Sequence, residues 1–213
     1  MVRVGVLALQ GDFAAHAHVL RGLGASVREV RRGADLDALG GLVLPGGEST
    51  AQLRLMAGEP WFDLLRAFHA GGASLLGTCA GAILLAREVR PPQPSLGLAD
   101  LVVARNAYGR QADSFEASVP APSLGSPLRG IFIRAPRVLD AGPSVEVLAR
   151  LGDAPVLLRQ GRVIAATFHP EIADETRVHR LFLETIAPGA TSRGRTAPAA
   201  RPSPGPASPS AAG

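Results

Sequence analysis

The sequence has 213 residues, of which 46% are hydrophobic and 19% charged, and these proportions are typical of a globular domain with a substantial core. Its single cysteine excludes a disulfide within the chain. The short apolar run at the N-terminus lacks the cleavage site of a signal peptide and is too short to span a bilayer. We therefore expect a cytoplasmic protein with no membrane partner.

The charge of the chain argues against nucleic-acid binding. The formal net charge is +4, and all 22 basic residues are arginine. Three arginines lie after Ala187 in a segment without acids, which leaves 19 basic against 18 acidic residues before it. No basic stripe remains to neutralise phosphates. The absence of lysine also excludes a Schiff base formed by a lysine of this chain.

The first half of the chain predicts alternating strands and helices. The expected strands are 2–9, 26–30, 41–44 and 74–77, and the expected helices are 13–23, 50–56, 61–70 and 80–85. Asp12 is the expected N-cap of the first helix, and Gly24 its end. This alternation predicts an α/β fold, in which a doubly wound, mostly parallel sheet is flanked by helices.

The second half has a different pattern. Residues 101–147 contain strand-like runs separated by Pro and Gly, and residues 154–168 predict a hairpin that turns at Gln160 and Gly161. A last helix is expected at 174–186, capped by Asp174. Residues 188–213 are rich in Pro, Ser, Ala and Arg without apolar periodicity, so we expect a disordered tail after a domain at 1–187.

The cysteine lies in the motif G-T-C-A-G, between an apolar strand and an apolar helix. Glycine at both flanks allows the sharp turn that lifts a nucleophile above a sheet. Cys79 would then lie at a helix N-terminus that favours the thiolate, with the Ala80 amide free to stabilise an oxyanion. A lone cysteine is in general more often a small buried side chain, but the strand, glycines and helix favour a nucleophile here.

A cysteine nucleophile needs a base, and the sequence has five histidines. His169 follows a predicted strand in F-H-P-E, and in an extended segment Glu171 would face the same side and fix its tautomer. A metal site at this pair would lack a third ligand at motif spacing. The other four lie on predicted helices, where a solvated or half-buried surface position is expected; they are His16, His18, His69 and His179.

The segment L-P-G-G-E-S-T joins the third strand to the next helix. Its Ser or Thr is a candidate cap for that helix, which would make the segment an ordinary turn. It also leaves free backbone amides at the end of a parallel strand, the edge at which α/β sheets bind ligands. Gly46 and Gly47 are therefore candidate second donors to an oxyanion.

Together these motifs resemble the class I glutamine amidotransferases, and most closely the glutaminase subunits of pyridoxal 5′-phosphate synthases. The similarity covers about residues 2–187. It rests on the segments L-A-L-Q-G-D-F-A-A-H, L-P-G-G-E-S-T, G-T-C-A-G, R-N-A-Y-G-R-Q, F-I-R-A-P and F-H-P-E.

The resemblance implies hydrolysis of L-glutamine to L-glutamate and ammonia, with Cys79 as nucleophile, His169 as acid and base, and Glu171 as its orienting group. It implies no cofactor and no metal, and a separate lyase subunit that uses the ammonia to make pyridoxal 5′-phosphate. Gln10 would lie near the oxyanion hole and the partner interface. The glutamine site would be lined by Gly47, Glu48, Ser49, Arg105, Ile133 and Arg134.

Three other functions are compatible with parts of this pattern. The chain could be the glutaminase of another synthase, such as the one that makes imidazole glycerol phosphate, although L-Q-G-D and P-G-G-E-S-T argue against it. A binding or protective protein with an elbow cysteine would not require His-Pro-Glu after a strand. A non-catalytic scaffold would not require all three triad residues.

Overall fold

A computed structural model describes residues 1–105 and 114–186 of the chain. The predicted tail, with Asn106 to Gln111 of the R-N-A-Y-G-R-Q motif, lies outside these residues. The strands are β1 (Arg3–Leu7), β2 (Ser26–Val30), β3 (Gly41–Leu44), β4 (Ser74–Thr78), β5 (Ala86–Arg90), β6 (Ala99–Ala104), β7 (Phe115–Val119), β8 (Leu128–Phe132), β9 (Arg137–Ala141), β10 (Glu146–Leu151), β11 (Ala154–Gln160) and β12 (Val163–Ala166). The helices are α1 (Phe13–Gly22), α2 (Ser49–Met56), α3 (Trp61–Ala70), α4 (Ala80–Leu85) and α5 (Thr176–Glu184).

The central sheet confirms the predicted doubly wound architecture. Its seven strands have the order β10-β11-β12-β4-β3-β1-β2. The five strands from β12 to β2 pair in parallel, whereas β10 and β11 extend one edge in antiparallel pairs. The predicted hairpin is β11 and β12, joined at Gly161 and Arg162. Two small sheets, β5-β6-β9 and β7-β8, lie outside the central one.

Both faces of the central sheet are buried, because successive strand residues enter opposite apolar clusters. Leu42 and Leu44 join the cluster that contains residues of α2, α3 and α4, whereas Val43 joins the cluster of α1 and α5. Strands buried on both faces have the continuous apolar sequences seen here. None of the helices within 1–105 and 114–186 has the length and hydropathy needed to cross a membrane.

Two predicted helix caps are wrong. Neither Ser49 nor Thr50 caps α2; the side chain of Glu48 accepts hydrogen bonds from the amides of Thr50 and Ala51 instead. At α5 the N-cap is Glu175, which accepts from the Arg177 amide. At the first helix Asp12 occupies the N-cap position, but its side chain makes no capping bond.

The predicted start of the last helix also shifts. Asp174 has φ +53° and lies outside α5, which starts at Thr176. A residue with positive φ cannot lie inside a right-handed helix, so the chain turns at Asp174 before the helix begins.

Candidate active site

The candidate active site lies where three adjacent parallel strands end. β3, β4 and β12 are neighbours in the sheet and run in the same direction, so their carboxyl ends meet at one edge. Gly46 follows β3, Cys79 follows β4 and His169 follows β12. Side chains 90 residues apart in sequence are thereby brought together at the edge where α/β sheets bind ligands.

Cys79 occupies a strained turn between β4 and α4. Its φ of 47° and ψ of −104° are unusual for a residue with a side chain. Backbone bonds hold the turn on both sides, since the Cys79 amide donates to the Ala166 carbonyl (2.8 Å) and its carbonyl accepts from Ile83 (3.2 Å). The side chain is nearly buried, with 5% of the residue exposed.

The two glycines of G-T-C-A-G are required by close packing. A Cβ on Gly77 would lie 2.5 Å from the Gly81 carbonyl carbon. A Cβ on Gly81 would overlap the carbonyl oxygen of Leu44 and lie 2.8 Å from its carbonyl carbon. The spacing therefore lets α4 press against both β4 and β3 while Cys79 points out of the turn.

His169 connects Cys79 to Glu171. Its Nδ1 lies 2.7 Å from Oε1 of Glu171, and Gly46 borders both the imidazole and Cβ of Cys79. Burial acts to lower the pKa of His169, but interactions with Cys79 and Glu171 raise it to about 10. At neutral pH the imidazole therefore carries a proton that can be given to a leaving group.

The contact between His169 and Glu171 was expected, but the chain between them is not extended. Residues 170–174 form turns, in which the Pro170 carbonyl accepts from the amides of Ala173 and Glu175, each at 3.2 Å. Both side chains are still brought together, because the turn folds Glu171 back under the imidazole.

The loop after β3 approaches the triad through its first glycine. A Cβ on Gly46 would overlap Cε1 of His169 and lie 3.3 Å from Cβ of Cys79. Gly47 has φ +132° and leaves room for Gln10, whose Oε1 would lie 2.8 Å from a Cβ there. Gln10 also accepts a hydrogen bond from the Glu48 amide (3.2 Å), so it holds the predicted oxyanion loop from the β1 side.

The predicted glutamine-site residues surround this loop. Glu48 is exposed, and hydrogen bonds above all from the Thr50 hydroxyl, with the Arg105 charge as a smaller cause, keep its pKa below the ordinary value. Ser49 is buried and donates its hydroxyl to Oε1 of Gln93 (3.0 Å). Arg105 is partly buried, and its Nε has no hydrogen-bond partner among residues 1–105 and 114–186.

The other predicted lining residues follow β8. The carbonyl oxygen of Ile133 is 3.8 Å from Sγ of Cys79, which places it beside the nucleophile. Arg134 is exposed and has φ +45°. The segment F-I-R-A-P thus places a backbone carbonyl beside the cysteine and exposes an arginine to solvent.

The predicted surface positions of His16 and His179 are wrong. Both residues are fully buried, and Nδ1 of His16 lies 2.8 Å from Nε2 of His179. Nε2 of His16 lies 3.4 Å from Oε2 of Glu171 and 3.1 Å from the Thr78 hydroxyl. The apolar period of α1 includes His16 and indicates its inward face, whereas no sequence signal identifies its contact with Glu171.

Three comparisons with known proteins agree with this geometry. The sequence profile described as the SNO glutamine amidotransferase family matches residues 6–188. The pyridoxal 5′-phosphate synthase subunit PdxT of Deinococcus radiodurans is 54% identical over 186 residues, which are 84% of this chain and 95% of that protein. The PdxT of Thermus thermophilus is 52% identical over 185 residues, covering 85% and 96% of the two chains.

Solved structures give the same result. One titled as a glutamine amidotransferase is 49% identical, with a TM-score of 0.81, and covers 86% of this chain and 98% of its own. The structure of PurLQS from Thermotoga maritima is 16% identical with a TM-score of 0.65, covers 87% of this chain and 99% of that one, and shows the fold alone.

Proposed function

Because this chain belongs to the SNO glutamine amidotransferase family, we propose that Cys79, His169 and Glu171 form its triad and hydrolyse the side-chain amide of L-glutamine. The chain is the glutaminase subunit of a pyridoxal 5′-phosphate synthase, and the ammonia passes to a separate synthase subunit. The observation that carries the proposal is the turn at Cys79, which places this residue beside an imidazole held by a carboxylate.

The triad performs the reaction in two steps. The Cys79 thiolate attacks the amide carbon, and the tetrahedral adduct collapses as His169 gives its proton to the departing nitrogen, releasing ammonia. His169 then takes a proton from water, whose oxygen attacks the γ-glutamyl thioester and releases glutamate and the thiol. Glu171 holds Nδ1 of His169 throughout, so that the other ring nitrogen faces the sulfur.

The backbone around the cysteine supplies the oxyanion hole. We assign one donor to the amide of Ala80, the first residue of α4, and the second to the loop at Gly46 and Gly47. Gln10 fixes this loop through the Glu48 amide. A donor of this kind contributes about 3–4 kcal/mol to lowering the barrier.

Two opposite charges beside the loop are complementary to the α-carboxylate and the α-ammonium of an amino acid. The guanidinium of Arg105, whose buried Nε has no partner within the described residues, is the ligand for the α-carboxylate. The carboxylate of Glu48, ionised at neutral pH, is complementary to the α-ammonium. The substrate amide would then extend toward Cys79.

The partner is expected to carry the carbonyl chemistry. This sequence contains no lysine, so an imine between a sugar phosphate and a lysine must form on another chain. The relatives named as synthase subunits at about half identity favour the vitamin B6 synthase as that partner over the synthase for imidazole glycerol phosphate.

The experiment combines the full chain with the synthase subunit of the same organism and follows pyridoxal 5′-phosphate formation. Glutamine is the only nitrogen source in one arm, and ammonium chloride with the synthase alone is the control. We expect product from glutamine with the wild-type chain and none with Cys79→Ala. Product from ammonium but not from glutamine with the wild type would overturn the assignment.

A further inference from the structure

A chain of buried polar side chains continues from Glu171 into the protein interior. Oε1 of Glu171 is taken by His169, whereas Oε2 faces Nε2 of His16 at 3.4 Å. His16 in turn contacts His179 through its Nδ1 at 2.8 Å. His16, Glu171 and His179 have no exposed side-chain surface or nearly none, so water cannot replace any of these partners.

We propose that His16 is a positioning residue of the triad, a neutral imidazole whose Nε2–H donates toward Oε2 of Glu171 and is fixed in this tautomer by His179. The inference rests on the proposed function, because it assigns His16 a role in holding Glu171 for His169. It adds two buried histidines, His16 from α1 and His179 from α5, to the three residues that the motifs identify.

The position of the ring proton on His16 follows from the hydrogen-bond acceptor beside it, the carboxylate of Glu171. An ionised carboxylate only accepts hydrogen bonds, and Oε2 of Glu171 is buried without a close hydrogen bond within the described residues, whereas Nε2 of His16 faces it at 3.4 Å. The group that faces it must therefore donate, which places the proton of His16 on Nε2. Thr78, 3.1 Å away, shares this donor through its hydroxyl oxygen.

The contact between His179 and His16 favours the same tautomer of His16. With its proton on Nε2, a neutral His16 presents a lone pair at Nδ1, so Nε2 of His179 must donate to it. His179 then has a bare Nδ1; within the described residues this atom has no hydrogen bond of good geometry, although the backbone of Glu175 is near enough to raise the pKa of His179. The direction of donation is thus His179 to His16 to Glu171.

Charge explains why a neutral donor suits this position. Burial, with the nearby charges of His179 and His169 as smaller causes, holds the pKa of His16 well below its ordinary value. A neutral His16 directs its Nε2–H toward Oε2 without placing a second positive charge beside the carboxylate that pairs with the His169 imidazolium. A second cation there would weaken that ion pair.

The tautomers can be measured directly on the wild-type chain. In the 15N-labelled full-length protein, the ring nitrogen shifts of His16 and His179 distinguish the Nε2–H from the Nδ1–H form. We expect the neutral Nε2–H form for both residues at pH 7. A proton on Nδ1 of His16, with Nε2 bare, would overturn the inference whether or not any variant folds.

Two substitutions separate positioning from packing. His16→Gln keeps an amide donor near the position of Nε2, whereas His16→Leu fills the space without one. In the assembled synthase we expect His16→Leu to lower kcat for glutamine roughly tenfold with little change in KM, and His16→Gln to recover most of it. Equal loss in both folded variants, or no loss in either, would contradict the proposal.

A readout at Cys79 makes the test independent of the substrate. The sequence has no other cysteine, so alkylation by iodoacetamide reports this thiol alone. We expect the pH of half-maximal alkylation rate to move upward in His16→Leu and to return in His16→Gln, since a poorly held His169 stabilises the thiolate less. An unchanged profile in folded His16→Leu would sink the inference. If the wild type released no glutamate yet the profiles shifted, the proposed reaction would fail while the positioning role would stand.

Discussion

Gly46 lies so close to His169 that a Cβ on the glycine would be 3.0 Å from Nδ1 and would overlap Cε1 of the ring. The absence of a side chain at this position therefore defines where the imidazole rests. A Cβ at the same position would lie 3.3 Å from Cβ of Cys79, so one backbone position borders both His169 and Cys79.

Replacing Gly46 with alanine is expected to disable catalysis more than folding. The added methyl group must push the His169 ring, which can rotate, and a displacement of about 1 Å at a catalytic group costs roughly a hundredfold in rate. We expect kcat for glutamine to fall about that much, with thermal unfolding close to the wild type. Gly58→Ala is the matched control, because a Cβ there meets nothing within 4 Å. Full activity in Gly46→Ala would refute this account.

Alanine at Gly81 is expected to destabilise the fold itself. Here the added Cβ meets the backbone of Leu44, which has no rotamer through which to move away. We expect the free energy of unfolding in urea to drop by about 1–3 kcal/mol, as for other overpacked sites. Gly22→Ala, at the end of α1 with open space around it, should leave stability unchanged or raise it by up to about 1 kcal/mol.

Much of the fold and the proximity of Cys79, His169 and Glu171 could be predicted because local patterns encode them. Apolar runs ending in glycine predict buried strands, and five parallel strands result. The glycines around Cys79 predict a sharp turn, since few other residues permit such close packing. His169 could be placed beside Cys79 because parallel strands end at one edge of the sheet, a rule that needs no side-chain detail.

The features that could not be predicted depend on tertiary contacts. Cap preferences favour short polar residues, yet Glu48 and Glu175 fold back to reach the free amides of their helices. The apolar period of α1 indicates that His16 faces inward, but it does not reveal that His179 and Glu171 pack against this residue. A surface position is the usual expectation for a histidine on a helix, yet His16 is buried beside the carboxylate of Glu171.

The corrected cap of α5 gives a stability prediction. Glu175 is nearly buried and accepts from the Arg177 amide (3.1 Å) and from its guanidinium at 2.8 and 2.6 Å. Glu175→Ala removes the cap and leaves Arg177 without its carboxylate, so we expect a loss of about 2 kcal/mol in the free energy of unfolding. Asp174→Asn, at the residue first expected to cap, should change stability little. A larger loss in Asp174→Asn than in Glu175→Ala would contradict the assignment.

The buried histidines are expected to make the fold sensitive to acid. Burial lowers the pKa of His179 from its ordinary 6.5 to about 4, and the nearby Glu175 offsets this only in part. Between these values the unfolded chain binds a proton that the native protein does not, so stability falls as the pH decreases through this window. This difference in pKa corresponds to a loss of about 3 kcal/mol in the free energy of unfolding by pH 4.

Chemical unfolding at a series of pH values checks this expectation. The decrease in unfolding free energy from pH 7 to pH 4 should be smaller in His179→Gln than in the wild type. His18→Gln is the control, because His18 is exposed on α1 and reaches solvent in both states. Parallel curves for His179→Gln and the wild type would show that His179 already carries a proton in the native protein.

Arg105 is expected to act in substrate binding rather than in the chemical step. Its Nε is buried without a partner in the described part of the chain, and its charge acts on Glu48 beside the proposed oxyanion loop. A guanidinium that binds the α-carboxylate contributes equally to the ground state and the transition state, so its loss raises KM and leaves kcat nearly unchanged. We expect Arg105→Gln to raise KM for glutamine about 10- to 100-fold, the value of a hydrogen bond between charged groups.

Steady-state glutamate release by the complex with the synthase subunit measures this separation. Arg54→Gln, which removes an exposed arginine on α2, is the matched control and should keep both constants. 4-Aminobutanamide, which is glutamine without its α-carboxylate, would give a second comparison, since this substrate gains nothing from Arg105 and its hydrolysis should be insensitive to Arg105→Gln. A fall in kcat at constant KM in Arg105→Gln would instead place the guanidinium at the reacting amide, because only a group that stabilises the transition state selectively has that effect.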